Sequence, residues 1–292
     1  MTEQKVSELG WGVRWPAPAK LNLMLRIIGR REDGYHLLQT VFQIIDIADS
    51  LTFNKTEDGC VRLKKAIPGV REEDDLTVRA ALLLKQEAGY QGGVRIDIEK
   101  NLPMGGGLGG GSSDAATVLV VLNRLWHLGI TEQRLMELGL ALGADVPVFI
   151  KGTSTWAEGV GEKLTTINLP DAWFVVLKPQ CHVDTGKIFS ANDLTRDSKS
   201  IKIADFNSGD NKNDCSAAVR KRYIDVEQAL EMLGEYGQAR LTGTGACVFV
   251  QFGDQLSAQD VYTKLASCNE VYIAQGLAIS PLHKQMSELF NI

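Results

Sequence analysis

Residues Lys20 to Ile27 alternate strictly. Leu21, Leu23, Leu25 and Ile27 fall on one side, and Lys20, Asn22, Met24 and Arg26 on the other. That period of two predicts a strand with one apolar and one polar face. Val94 to Glu99 alternates in the same way, and the apolar runs Phe174 to Leu177 and Cys247 to Phe252 read as further strands. Elsewhere the period lengthens to that of a helix. Residues 75–88 open on acidic side chains. From Ser112 to Trp126, residues Ala115, Val118, Leu119, Leu122, Leu125 and Trp126 make one stripe, with Ser112 or Ser113 available as the cap. Helices are also predicted from Thr131 to Leu142, stopped by Gly143, and from Ser216 to Leu233. The polar stretch between Ser190 and Asp214 reads as a surface excursion.

A chain of 292 residues holds about two domains at ~150 residues each. The polar turn from Thr165 to Asp171, with Pro170, is the expected boundary, giving domains 1–166 and 167–292. The sum of 31 basic and 36 acidic residues is a net charge of −5. This argues against a nucleic-acid coat or an anchor to an anionic membrane, so neither nucleic acid nor membrane is expected as a partner. No apolar run approaches the ~18 residues of a membrane span, and Met1 to Trp15 lacks the apolar core of a signal peptide. The five cysteines contain no C-x-x-C pair and the four histidines no H-E-x-x-H spacing, so no zinc site is expected. The odd cysteine count fits reduced thiols and a cytoplasmic location.

Glycine changes the picture. There are 29 glycines, and six of the seven positions from 105 to 111 are glycine. The run Asn101-Leu-Pro-Met-Gly-Gly-Gly-Leu-Gly-Gly-Gly-Ser-Ser-Asp114 follows a strand and opens into a helix. Glycines let successive backbone N–H groups approach a phosphate, and the helix start adds unsatisfied donors. A Walker loop fails because Gly111 is followed by Ser112 and no lysine intervenes. A dinucleotide fold fails because Lys100 to Met104 separate loop from strand and no second strand follows at ~20 residues. A hydrolase elbow G-x-S-x-G is absent. The remaining alternatives are a phosphate cradle or a flexible linker, and linkers seldom sit between a strand and an amphipathic helix.

Other candidates are weaker singly. Lys20 and Asn22 share a strand face, and a lysine there is ordinarily just solvated. Asp145 precedes Val146-Pro147, which suits either a helix cap or a carboxylate held beside apolar walls as a base. Gly34-Tyr35-His36 suits a turn with an aromatic anchor or a stacking surface for a planar ring. Gly243 and Gly245 precede an apolar strand, as a plain turn or as a second glycine loop facing the first across a cleft.

In combination these segments resemble a known family. Pro103 to Ala116 resembles the ATP loop of the galactokinase–homoserine kinase–mevalonate kinase–phosphomevalonate kinase superfamily. Pro18-Ala-Lys-Leu-Asn-Leu23, Gly34-Tyr-His36, Leu142-Gly-Ala-Asp-Val-Pro-Val-Phe149, Arg240 to Phe249 and Ser280-Pro-Leu-His283 narrow the likeness to one branch. That branch phosphorylates the tertiary C2 hydroxyl of a cytidyl-diphosphate-linked methylerythritol in the non-mevalonate route to isoprenoids. The resemblance implies an α+β fold of two domains, ribosomal protein S5 domain 2-like and then ferredoxin-like, with the active site in the cleft between them. It implies ATP as phosphate donor, Mg2+ from the chemistry rather than from identified ligands, and a monomer or weak homodimer.

The resemblance also implies roles. Asp145 is the catalytic base and Lys20 its neighbour. Lys100, Pro103, Met104, Gly105, Gly106, Gly107, Leu108, Gly109, Gly110, Gly111, Ser112 and Ser113 bind the nucleotide. Asn22, Tyr35, His36, Thr185, Phe189 and Gly243 bind the acceptor, with His36 hydrogen-bonding the base and Tyr35 and Phe189 stacking on it. Asp75 stands where the family often has asparagine, and so, in some members, does Asp114. Another kinase of the superfamily, or a nucleotide-binding module that has lost catalysis, are the competing expectations.

Overall fold

The computed structural model of the chain describes residues 9–32 and 34–291; the start of the Met1 to Trp15 segment lies outside the described residues. The long strand β2 (His36–Thr56) is the spine of the molecule. Along its length it pairs with β1 (Arg14–Arg30). Its far half pairs with β4 (Gly93–Glu99), its near half with β5 (Thr155–Gly159), and its middle with β10 (Glu270–Leu277). Through β10 the sheet continues into β7 (Trp173–Lys178), β9 (Val248–Phe252) and β8 (Arg240–Leu241). The short strands β3 (Val61–Leu63) and β6 (Lys163–Thr166) flank β4 and β5.

Three apolar cores follow from this arrangement. The first lies under α1 (Leu76–Ala88), α2 (Gly110–Leu125), α3 (Glu132–Leu142) and α4 (Val146–Lys151), and α10 (Pro281–Phe290) returns to it from the end of the chain through Leu282 and Met286. The second lies between β7 and β9 and the helices α7 (Ser216–Arg222), α8 (Ile224–Gly234) and α9 (Gln255–Leu265). The third joins them. Val175, Leu177, Val248 and Val250 face the second core, while Phe174, Val176 and Phe249 on the opposite face meet Leu21, Met24 and Ile45 in the third. Strand alternation thus buries both faces of the C-terminal sheet. The result is the mixed α+β, two-domain arrangement that the sequence implied.

Three local expectations need correction, and a fourth gains detail. The Lys20 to Ile27 strand has no solvated face: Lys20 and Asn22 are 2% and 3% exposed. Leu21 and Leu23 are buried as well, so both faces of β1 are covered, and the glycine loop lies over the polar one, Gly107 O accepting from Lys20. The helix expected to open at Ser112 begins at Gly110. Its cap is Gly109, at φ 77, with no side-chain capping bond. The helix expected from Ser216 to Leu233 breaks at Tyr223, whose backbone is extended. The stretch between Ser190 and Asp214 carries α6 (Ile203–Asn207) and is bound to β1. Leu25 N–H donates to Lys212 O at 3.0 Å and Ser198 N–H to Ile27 O at 3.0 Å, while the Asp214 carboxylate accepts from Ile27 N–H at 2.7 Å. The free edge of β1 needs those partners, because unpaired buried backbone groups are costly.

Candidate active site

Two cavities share a wall. One, of about 480 Å³, is lined by residues 103–112, with Lys100, Asp74, Asp75, Asp114 and Asp145. The other, of about 280 Å³, is lined by Lys20, Asn22, Thr40 and Phe42 from β1 and β2, and by Thr185, Phe189, Gly243 and Thr244. Gly107, Ser112 and Asp145 belong to both.

At the junction sits Lys20. Its ammonium donates to Asn22 Oδ1 at 2.6 Å and to Gly107 O at 2.9 Å, and lies 3.2 Å from Asp145 Oδ2. All three N–H bonds of the ammonium are therefore used. Phe42 lies beneath it, 5.4 Å from nitrogen to ring centroid. Asn22 is fixed in turn, its amide donating to Thr40 Oγ1 at 2.9 Å and Thr40 Oγ1 to Met24 O at 2.6 Å. Asp145 occupies the N-cap position of α4, as a capping reading of the sequence expects, but its carboxylate makes no cap bond. Its side chain is 36% exposed against 3% for Lys20, so it faces the cavities while the lysine backs it.

The glycine loop is held from behind. Asp49, on β2 and fully buried, accepts from Asn101 N–H at 2.6 Å and Leu102 N–H at 2.8 Å. Lys100 bridges Asp49 and Asp114, the latter at 2.8 Å. Burial works against the lysine's charge, but the two carboxylates hold its pKa above the ordinary value. Burial drives Asp114 the other way, up from the usual carboxylate range, against the pull of Lys100 and with the repulsion of Asp49. The second glycine loop does not face the first across open space, as expected; it is hydrogen-bonded to it. Ala246 N–H donates to Gly105 O at 3.3 Å and Cys247 N–H to Gly106 O at 3.0 Å. Gly107 has φ 76, and a Cβ there would lie 2.6 Å from Thr242 O. Glycine is required at this crossing.

The predicted residues divide clearly. Residues 103–112 and Lys100 line the first cavity, with Met104 exposed and Leu108 buried as the loop's anchor. Ser113 is fully buried, lines neither cavity, and its hydroxyl has no hydrogen-bond partner. Asn22, Thr185, Phe189 and Gly243 line the second cavity, with Thr185 Oγ1 2.8 Å from Thr244 Oγ1. His36 adjoins it by stacking on Phe189, centroids 5.0 Å apart. Tyr35, at the hairpin tip, is 64% exposed and lines neither cavity. Asp75 is the N-cap of α1, accepting from Thr77 and Val78 N–H. Sequence reasoning missed Asp49, Thr242 and Arg196. Asp49 carries little signal, since Asp46 and Ser50 stand beside it in the same segment; Arg196 and Thr242 carry none.

A glycine cradle at a helix start, opening onto a Lys–Asp pair with a second cavity beyond, defines a small-molecule phosphotransferase. Residues 75–153 match the family described as GHMP kinases N terminal domain, and residues 193–270 match GHMP kinases C terminal. A relative from Methylococcus capsulatus named 4-diphosphocytidyl-2-C-methyl-D-erythritol kinase is 53% identical over 94% of this chain and 95% of its own. One of the same name from Marinobacter nauticus is 53% identical over 94% and 97%. A crystal structure of 4-(cytidine 5'-diphospho)-2C-methyl-D-erythritol kinase matches with a TM-score of 0.79 at 30% identity, over 91% of this chain and 100% of that one. A mevalonate kinase structure, at 14% identity and a TM-score of 0.67, shares the fold. The chain belongs to the 4-diphosphocytidyl-2-C-methyl-D-erythritol kinase family of the GHMP kinases.

Proposed function

We propose that this chain transfers the γ-phosphate of ATP to the C2 hydroxyl of 4-diphosphocytidyl-2-C-methyl-D-erythritol, the acceptor for which its relatives are named. The carrying observation is that two cavities of different character meet at Gly107, Ser112 and Asp145, with Lys20 behind the carboxylate. In this reading residues 103–112 cradle the triphosphate with backbone N–H groups, and the acceptor enters beside Asn22, Thr185, Phe189 and Gly243. The C2 oxygen attacks the γ-phosphorus, the bond from that phosphorus to the ADP oxygen breaks, and Asp145 takes the hydroxyl proton. Lys20, 3.2 Å from Asp145 Oδ2, holds that carboxylate in place and stabilises charge at the transferring group. Such a transfer asks the protein chiefly for position and electrostatics.

Among the described residues no group of three or more His, Cys, Asp or Glu side chains is disposed to hold a metal. Mg2+ needs no such cage, since phosphate oxygens supply most of its ligands. Ser112 lines both cavities, and a serine hydroxyl is a hard oxygen donor of the kind the ion takes. The ion, carried in with ATP, would neutralise phosphate charge. We also propose a cytoplasmic enzyme divided at residues 166 and 167; no helix among the described residues is long and apolar enough to cross a membrane.

The test is ADP release with ATP and each of three acceptors: the cytidyl substrate, mevalonate and homoserine. Turnover of the cytidyl substrate alone is expected. Turnover confined to mevalonate or homoserine would overturn the reading, and ATP binding without turnover of any acceptor would make the chain a binding module. A module that has lost catalysis sits poorly with an intact Lys20–Asp145 pair.

A further inference from the structure

Arg196 lies in the polar stretch after α5 (Thr185–Ser190), yet it ties together the two rings beside the acceptor cavity. Its Nη2 donates to Phe189 O at 2.9 Å and Ala191 O at 2.7 Å, and its Nη1 to Leu194 O at 3.2 Å. These bonds fix the turn that carries Phe189. Of the two donors left, Nε–H reaches His36 Nε2 at 3.3 Å. A planar fork can serve four acceptors in one plane; an ammonium cannot. Neutral imidazole has one donor and one acceptor nitrogen. With Nε2 accepting from Arg196, the ring proton sits on Nδ1.

We propose that Arg196 is a positioning residue for nucleobase recognition, holding His36 as a neutral Nδ1–H donor stacked on Phe189. The inference rests on the reading of His36 as a base-contacting residue. Its consequence is specificity. Cytosine presents N3 as an acceptor, whereas uracil carries a proton there. A histidine fixed as a donor favours cytosine; one free to exchange tautomers accepts as readily as it donates, and the distinction fades. The charged groups bearing on the ring act in the same direction. Arg196 approaches from the segment after α5, and Arg30 lies opposite His36 in the β1–β2 register. Burial first, then Arg196 and Arg30, lower the His36 pKa from its ordinary value, which keeps the ring neutral.

The experiment compares the full chain with Arg196→Gln, Arg196→Lys and His36→Ala. It measures steady-state kinetics with the cytidyl substrate and its uridyl counterpart, KM for ATP, and an NMR titration of the His36 ring. Arg196→Gln is expected to raise the cytidyl KM about tenfold, the size of one lost specificity contact. It should also narrow the cytidyl-over-uridyl preference several-fold, return the His36 pKa toward ~6.5, and leave KM for ATP within about twofold. Arg196→Lys keeps a charge nearby but loses the fork. Its His36 pKa should move less, while the preference narrows as in the glutamine variant. If Arg196→Gln leaves both the base preference and the His36 titration unchanged, Arg196 only braces the turn and the inference falls. If His36→Ala leaves the cytidyl KM untouched, the base-contact reading itself fails, a different failure. Should the glutamine variant not fold, the lysine variant carries the same two readouts.

Discussion

The two cavities are built from different material. The nucleotide side is built around one unbroken run of main chain, residues 103–112, with its rear anchored through Asp49 and Lys100 and its rim completed by side chains between Ile67 and Thr77. The acceptor side shares Gly107 and Ser112 with that run and is otherwise walled by six separate segments, at residues 20–25, 38–42, 144–145, 160–161, 185–189 and 243–244. A wall of N–H groups binds any phosphate that fits and has few side chains to lose. A wall of side chains carries specificity and can lose it one group at a time. Substitutions should therefore hurt the two sides in different ways, and Asp145, common to both, should hurt neither side's binding while abolishing chemistry.

The largest effect tests that last statement. Asp145→Asn is expected to lower kcat by about a thousandfold, within the range for loss of a general base. Titration calorimetry should find ATP affinity changed by less than about threefold, because the cradle is backbone. Surviving turnover would reduce Asp145 to the cap position of α4, and the two cavities would lose their common catalytic group.

A methyl group is the sharpest probe of a main-chain wall. Gly107→Ala forces a Cβ to 2.6 Å from Thr242 O and 2.8 Å from Gly245 O at φ 76. Strain of about 2 kcal/mol should appear as a lower melting temperature and as roughly tenfold weaker ATP binding, since each 1.4 kcal/mol that reaches the site is tenfold. Gly111→Ala lies in the same loop but within α2, where the new Cβ meets only Leu76 at 3.6 Å. It should stabilise by about 0.5 kcal/mol, because alanine has less unfolded-chain freedom to lose at a compatible site. Equal damage from both variants would mean the loop is sensitive to bulk in general, not to backbone geometry.

Phe189→Ala probes the side-chain wall. Loss of the stack on His36 and of one face of the acceptor cavity should raise the acceptor KM about tenfold, matching an aromatic contact of ~1.4 kcal/mol. KM for ATP should stay within about twofold. A matching rise in both would show that the two walls are mechanically one.

The same difference explains what the chain discloses before folding. The glycine loop is contiguous, so Gly105 to Gly111, the preceding strand and the following helix can be read side by side. Even there the helix start shifts to Gly110, because Gly109 caps by conformation and no serine hydroxyl is needed. The acceptor wall is scattered over some two hundred residues, and only the family resemblance gathers Asn22, Thr185, Phe189 and Gly243 into one place. Burial of Lys20 is invisible to alternation counting, since the loop at Gly107 that covers it lies far along the chain. Arg196 sits in a charged, polar stretch where nothing local separates a brace from a solvated side chain. The contact between the two glycine loops is likewise tertiary, set by the crossing of Gly107 beneath Thr242.

The effect furthest from the chemistry concerns the rear of the nucleotide wall. Asp114 is 4% exposed, its Oδ2 bound to Lys100 and its Oδ1 without a partner. Burial raises its pKa despite Lys100, so the folded chain holds a proton that the unfolded chain releases at ~4. Between the two values the folded state binds more protons, and stability falls as pH rises through that window. Asp114→Asn removes the dependence, while Lys100 keeps Asp49. The variant should match the parent near pH 4 and melt a few degrees higher near pH 8, a gain on the order of 1–2 kcal/mol. Thermal melts across that range measure it. A gain independent of pH would place the effect in packing around α2. A loss at pH 8 would mean that the Lys100–Asp114 pair outweighs its own burial, and that the loop's rear anchor depends on both carboxylates rather than on Asp49 alone.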